Sequence, residues 1–222
     1  LNRESICKDV FYGLNIPTAS PFYSPASIAY RKDLVSAYPF NLDKAKQLLT
    51  AAGVTTLSIK FLTSPAFPEW KLYAQLWQAD LKKIGVTMDI AELESAKFYE
   101  ETGKADLGGY DLAGWATGRA KRDPAIFFQT QPQYGGGPKT GIANPYGWYN
   151  AEYEKIIGDA RVELDVAKRT QLYQRANEIL VDELPMIQIS NNMSTTAISN
   201  KVQGIVFDLL GYYLFDKATV NK

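Results

Sequence analysis

The sequence has 222 residues, enough for one large domain or two small ones. Lys and Arg together number 24, as do Asp and Glu, and the resulting zero net charge argues against a general nucleic-acid or anionic-membrane binder, since both need a basic excess. There is no His and one cysteine, Cys7, which removes a His base, a His metal ligand, an intramolecular disulfide and a cysteine zinc site.

Along the chain, Leu1–Gly13 reads as a helix closed by a glycine, with no leader and no strand before it; this is the expected start of a fragment of a longer chain. From Ile16 to Pro39, prolines at 17, 21, 25 and 39 and weak periodicity predict a stretch that wraps over a surface rather than building a core. Asn41 is placed to cap a helix whose apolar face is Ala45, Leu48, Leu49 and Ala52, ending at Gly53. Leu57, Ile59 and Phe61 alternate with polar residues as a strand. Pro68 suits a first helical residue, Tyr73, Leu76, Trp77, Leu81 and Ile84 form one face of the helix, and Gly85 closes it. Val86, Met88 and Ile90 alternate as the next strand. Strand, long helix and strand make a βαβ unit, which requires a parallel pair and a right-handed crossover. A short helix around Ala96–Thr102 then leads to a third strand, Tyr110–Ala116. Ligands of such open sheets collect at the strand C-termini.

Asp123–Asn150 is rich in glycine (135, 136, 137, 141, 147) and proline (124, 132, 138, 145) and lacks a strong period. Connections this long are often functional. Two amphipathic helices follow, one on Tyr153, Ile156, Ile157 and Ala160, the other on Leu172, Tyr173, Ala176, Ile179 and Leu180, ending at Pro185. Met186, Ile187 and Ile189 read as a buried strand. The final stretch, Lys201–Lys222, alternates apolar pieces with Gly204, Gly211 and Asp216; it is too apolar for a free tail. No apolar run approaches the roughly 20 residues of a membrane helix.

Gly135–Thr140 has a glycine-rich start and a Lys-Thr pair but not the spacing of a P-loop. No dinucleotide fingerprint and no Ser/His/Asp triad is present. Glu92/Glu94 and Glu100/Glu101 are carboxylate pairs that serve either as acid and base or as solvated faces. The informative constellation follows the third strand. From Leu112 to Ala151, Arg119, Lys121, Arg122 and Lys139 stand against Asp123 alone, a net of +3. They are interleaved with Trp115, Phe127, Phe128, Tyr134, Tyr146, Trp148 and Tyr149. Aromatics among bases suit stacking on a planar or sugar-like ligand or contact with an anion. A basic turn whose aromatics anchor a long loop fits the same pattern.

Several ordered stretches together resemble the extracytoplasmic solute-binding proteins of the dipeptide/oligopeptide ABC-transporter family (family 5). They are Asn2–Gly13, similar to its "DRE-x-I" helix; Tyr38–Gly53, similar to "Y-x-x-D-x-x-K-A-K-x-L-L-x-x-A-G"; Leu81–Asp89, similar to "L-x-x-I-G-I-x-V"; and Tyr110–Trp115 with Asp123-Pro124, similar to "Y-D-x-x-x-x-G-W … D-P". Leu172–Leu180 with Leu184-Pro185 is in register with its last long helix.

The resemblance covers essentially the whole chain and implies an α/β, periplasmic-binding-protein-like lobe with a mostly parallel sheet flanked by helices. Members are roughly twice as long, so the chain is expected to be the C-terminal half. Residues 1–190 would form the lobe, the crossover would lie near Gln188–Thr196, and 191–222 would return to the missing lobe. The implied function is capture of a small solute for ABC permease subunits in the periplasm, or tethered outside the membrane as a lipoprotein, with no cofactor, metal or catalysis. A carboxylate-dependent hydrolase or lyase half, or a sensory module on the same fold, are the alternatives. In peptide-binding relatives the third residue after the "G-W" tryptophan is an aspartate that pairs with the peptide ammonium. Here that residue is Gly118, flanked by Thr117 and Arg119. The solute is therefore expected to be neutral or anionic at that end, unless Asp123 supplies the acid. The expected ligand residues are Phe98, Trp115, Thr117, Gly118, Arg119, Arg122, Asp123, Tyr146 and Trp148.

Overall fold

A computed structural model describes residues 1–116, 124–130, 147–192, 196–207 and 212–221. The first helix, α1 (Arg3–Asp9), is capped by Asn2, whose side chain accepts from Ser5 N. A short strand β1 (Ile16–Pro17) and a helical turn α2 (Lys32–Val35) follow, then α3 (Leu42–Ala51), β2 (Leu57–Thr63), α4 (Pro68–Lys82), β3 (Val86–Glu92) and α5 (Ser95–Thr102). A 3₁₀ turn at Ala105–Gly109 leads into β4 (Leu112–Ala113), and then come α6 (Ala125–Thr130), α7 (Ala151–Val162) and α8 (Val166–Glu183). The last strands are β5 (Ser190–Asn191), β6 (Val202–Gln203), β7 (Val206–Phe207), β8 (Tyr213–Leu214) and β9 (Thr219–Val220).

The sheet runs β3-β2-β4 with both pairings parallel, as the βαβ reading requires. Seven residues pair in register from Leu57↔Val86 to Thr63↔Glu92. The positive φ of +82° at Gly85 lets the chain leave α4 and enter β3 at once, a conformation costly for a residue with a Cβ. The third strand is shorter than the expected Tyr110–Ala116. Only Leu112 and Ala113 are ladder residues, flanked by Asp111 N–H donating to Lys60 O and Gly114 N–H to Leu62 O. The Asp111 carboxylate also accepts from Lys60 N at 2.7 Å, so one side chain sets the register where the ladder starts.

Two hydrophobic clusters form. One packs α4 and α5 on the sheet, with Phe61, Leu62, Trp70, Tyr73, Met88 and Phe98 at its centre. The other is helical and joins α6, α7 and α8 through Phe128, Tyr153, Ile156, Tyr173, Ala176 and Leu180.

Four expectations are corrected. The proline-rich stretch 16–39 is not a surface wrap, because Ala19, Phe22 and Ala29 are buried and Phe22 packs against Phe127 and Phe128 with centroids 5.0 Å apart in each pair. A segment without regular ladders can be buried when side chains satisfy its backbone. Here Thr18 Oγ1 donates to Ser20 O and accepts from Ser20 N, Ser20 Oγ accepts from Phe22 N, and buried Asn177 accepts from Ser20 Oγ and donates to Ala29 O.

Second, the helix after Asn41 forms, but its apolar face is not buried, and Leu48 is 58% exposed. Local capping holds it, with Asn41 accepting from Lys44 N. Third, Met186–Ile189 is half-buried coil; pairing is confined to Ser190 and Asn191, which run antiparallel to Ile16 and Pro17. Pro185 disfavours helical backbone at Leu184, which takes a left-handed φ of 50° and ends α8. Fourth, the long connection is not wholly irregular, since it contains α6.

Arg3 ties the beginning of the chain to the returning segment. Its Nε donates to Gln188 O at 2.8 Å and its Nη1 to Tyr38 O at 3.1 Å, and burial lowers its pKa. Asn15 adds bonds to Ser190 Oγ and Asn192 Oδ1. Beyond β5, β6 pairs with β9 and β7 with β8, both antiparallel, and apolar side chains point to solvent: Phe207 is 48% and Phe215 63% exposed.

Candidate functional site

The C-terminal ends of β2, β3 and β4 lie on one edge of the sheet, where their chains continue into the starts of α4 and α5 and into Gly114–Ala116. Aromatic residues gather there in a chain of contacts. Phe67 stacks on Trp70 at 4.0 Å, Trp70 meets Phe98 at 5.6 Å, and Phe98 lies near-parallel to Trp115 at 6.4 Å. Gly114 makes this possible. A Cβ on it would sit 2.7–3.0 Å from ring atoms of Trp70, so the backbone lies directly on the indole face and the next residue turns outward.

A cleft of about 990 Å³ runs beside β4. Its walls are β4 with its flanking residues, one face of α4, Phe11, Trp148 and the returning segment Glu183–Asn192. All four tryptophans of the chain, Trp70, Trp77, Trp115 and Trp148, line it. Trp70 and Trp77 are two helical turns apart and so share one face of α4. Trp148 is held by its indole N–H donating to Glu183 Oε2 at 2.7 Å, while Asn150 Nδ2 donates to the other carboxylate oxygen. Burial, with Glu69 adding to it, raises the Tyr73 hydroxyl pKa and keeps the phenol neutral.

Of the expected ligand residues, Trp115 and Trp148 therefore share one cleft. Phe98 is fully buried and lies beneath Trp115 as a support. Thr117, Gly118, Arg119, Arg122, Asp123 and Tyr146 lie outside the described residues, as do Lys121, Lys139 and the Gly135–Thr140 run. The charged residues among the described lining are Glu69, Asp111 and Glu183. Asp111 and Glu183 already accept structural hydrogen bonds. Sequence reasoning missed Trp70 and Glu183. The i, i+7 spacing of Trp70 and Trp77 was a usable signal; for Glu183 there was none.

The Glu100/Glu101 pair is bound into a surface network with Lys97 and Lys104, at 2.7–3.2 Å. The hydrogen bonds from these lysines hold both carboxyls below their ordinary range. A pair so held stays ionised at neutral pH and supplies no acid. A depressed carboxyl stabilises the fold above its unfolded pKa and loses that contribution as pH falls through its folded value. Glu100→Gln with Glu101→Gln should therefore flatten the acid limb of stability against pH, read by urea unfolding at a series of pH values. An unchanged limb would show that the network is energetically silent. Cys7 is buried, which pushes its thiol pKa up and away from a nucleophilic role. No group of three or more potential metal-ligating side chains occurs among the described residues, and no described helix is long and apolar enough to cross a membrane.

Residues 1–139 match the family described as bacterial extracellular solute-binding proteins, family 5. The whole chain aligns at 26% identity with 40% of the peptide transport periplasmic protein SapA of Salmonella typhimurium. It likewise aligns at 27% identity with 41% of the dipeptide-binding protein of Escherichia coli. Among solved structures, HbpA2 from Haemophilus parasuis superposes with a TM-score of 0.79 at 26% identity, over 99% of this chain and 43% of that one. A dipeptide-binding protein from Pseudoalteromonas in complex with Met-Leu superposes at 0.77 with 28% identity, over 100% of this chain and 43% of that one. The chain thus spans about 40% of the length of the curated relatives it matches.

Proposed function

This chain belongs to the bacterial extracellular solute-binding proteins of family 5, and from that premise we propose that it is the C-terminal half of a non-enzymatic, bilobal receptor. The receptor closes on a small solute outside the cytoplasmic membrane and delivers it to the permease subunits of an ABC importer. The observation that carries this reading is the convergence of all four tryptophans on one cleft beside the parallel sheet. A concave site in which aromatic side chains stand among placed polar groups suits a small molecule. Residues 1–190 form the lobe, and residues 191–222 cross back to the N-terminal lobe of the same receptor. The pairing of β5 with β1 and the exposed apolar faces of β7 and β8 support that division.

The solute is neutral or anionic at the end facing Gly118. A buried ammonium there would lack its carboxylate, at an effective cost of several kcal/mol, and Arg119 and Arg122 suit a carboxylate or phosphate. Mass spectrometry of the intact two-lobed protein should reveal a co-purifying solute that is released unchanged. Calorimetry should then show binding of amine-acetylated peptides, glycans or sugar phosphates in preference to free-amine peptides. Binding of only the free-amine form, abolished by Asp123→Asn, would overturn the charge assignment; chemical conversion of the solute would overturn the receptor reading.

A further inference from the structure

We propose that Glu69, Tyr73 and Trp77 form a cation subsite in the cleft, which receives a guanidinium or ammonium group carried by the solute away from the end facing Gly118. This deepens the receptor reading above and rests on it. The three residues follow one another at i, i+4 steps on α4, so they share the side of that helix that lines the cleft. Three carboxylates and no lysine or arginine occur among the described lining residues. Asp111 and Glu183 are engaged by structural hydrogen bonds. Glu69 is half-buried and has neither a hydrogen bond nor an ion pair among the described residues. A carboxylate without a counter-charge in a concave wall draws cations to it.

Tyr73 gives independent support. It is only 5% exposed, and its hydroxyl makes no hydrogen bond among the described residues. Leaving a buried polar group unpaired costs stability, so such groups usually have a partner. Tyr73 borders the cleft, and a bound solute can supply that partner. Its ring is held by an edge-on contact with Phe61 at 6.0 Å and 88°. Burial, with Glu69 adding to it, keeps the phenol neutral. A neutral phenol oxygen accepts a hydrogen bond from a cation, and a carboxylate accepts one more strongly. The half-buried indole of Trp77 adds the kind of π-surface that cations favour. A guanidinium has donors enough for both oxygens at once and a flat face for a ring. A neutral group of the same shape loses the charge-assisted bond to Glu69 and most of the attraction to the ring. An anionic group is repelled, so the neutral or anionic end of the solute lies elsewhere.

The test is calorimetry on the intact two-lobed receptor with acetyl-Ala-Arg, acetyl-Ala-Lys and acetyl-Ala-citrulline, the last matching arginine in shape without its charge. One of the two cationic probes should bind about ten- to a hundredfold more tightly than the citrulline probe. Glu69→Gln should shrink that preference to about threefold or less and leave the citrulline affinity nearly unchanged. Tyr73→Phe should weaken the cationic probe by about two- to tenfold. The hydroxyl it removes has no partner inside the described fold, so Tyr73→Phe should hold or raise the Tm. A fall in Tm with unchanged affinity would make that hydroxyl structural and overturn its part in the subsite. Equal binding of the cationic and citrulline probes, or a preference that survives Glu69→Gln, would overturn the subsite. If none of the probes binds, the co-purifying solute decides. One without a guanidinium or ammonium, or one whose affinity is unchanged in Glu69→Gln, would overturn the subsite while leaving the receptor standing; a cationic solute weakened by that substitution would support it. Failure to bind any solute at all would remove the receptor reading and the subsite with it.

Discussion

Trp70→Ala should cost about 3–5 kcal/mol of stability, measured by denaturant unfolding, because it empties a large site in the sheet cluster. Trp70 is buried, stacked by Phe67, packed on Phe98 and covered on one face by the Gly114 backbone. Gly114→Ala should cost about 1–3 kcal/mol in the native background, since its Cβ would press to within 2.7 Å of the indole and neither the backbone nor the packed ring can move freely. The two effects should not add. With the ring removed, the alanine has room, so Gly114→Ala should be nearly neutral in a Trp70→Ala background. An equal cost in both backgrounds would show that Gly114 is needed for something other than this contact. The pair also couples stability to the site, because Trp115 is the next residue, and Gly114→Ala should shift its fluorescence.

Asn177→Ala should destabilise by about 2–4 kcal/mol, since it leaves the Ser20 hydroxyl and the Ala29 carbonyl without their partner inside the fold. Asn177 is fully buried on α8 and reaches both ends of the segment that places Phe22 in the helical cluster. The loss should therefore be local as well as global, with residues 18–35 becoming the first proteolytic cut site. As a comparison, Gln174→Ala removes one half-buried bond to Tyr30 O and should cost less than half as much. If Asn177→Ala and Gln174→Ala prove equal, the buried network is not what holds this segment.

By itself the sequence determined the parts of the fold whose causes are local. Alternation at Leu57–Phe61 and Val86–Ile90, Pro68 at a helix start and Gly85 at its end dictate a βαβ unit, and handedness does the rest. The two long C-terminal helices were legible for the same reason, from apolar residues at helical spacing. The glycine before Trp115 was legible as part of a motif, though not as a contact.

Only the tertiary structure decided matters that depend on residues distant in sequence. Phe22 is buried because Asn177, 155 positions away, completes the hydrogen bonding around a segment that has no period of its own. Leu48 stays exposed although its helix has an apolar face, because periodicity states that a face exists and not that a partner covers it. Phe98 was expected to touch solute, but it lies under Trp115, leaving its neighbour Tyr99 at the surface. One residue turns a helical side chain by about 100°, so the choice between core and cleft rests on how α5 docks against the sheet. The four tryptophans lie as far apart as positions 70 and 148, and they meet because β4 pairs beside β2 and the chain returns along its edge after α8.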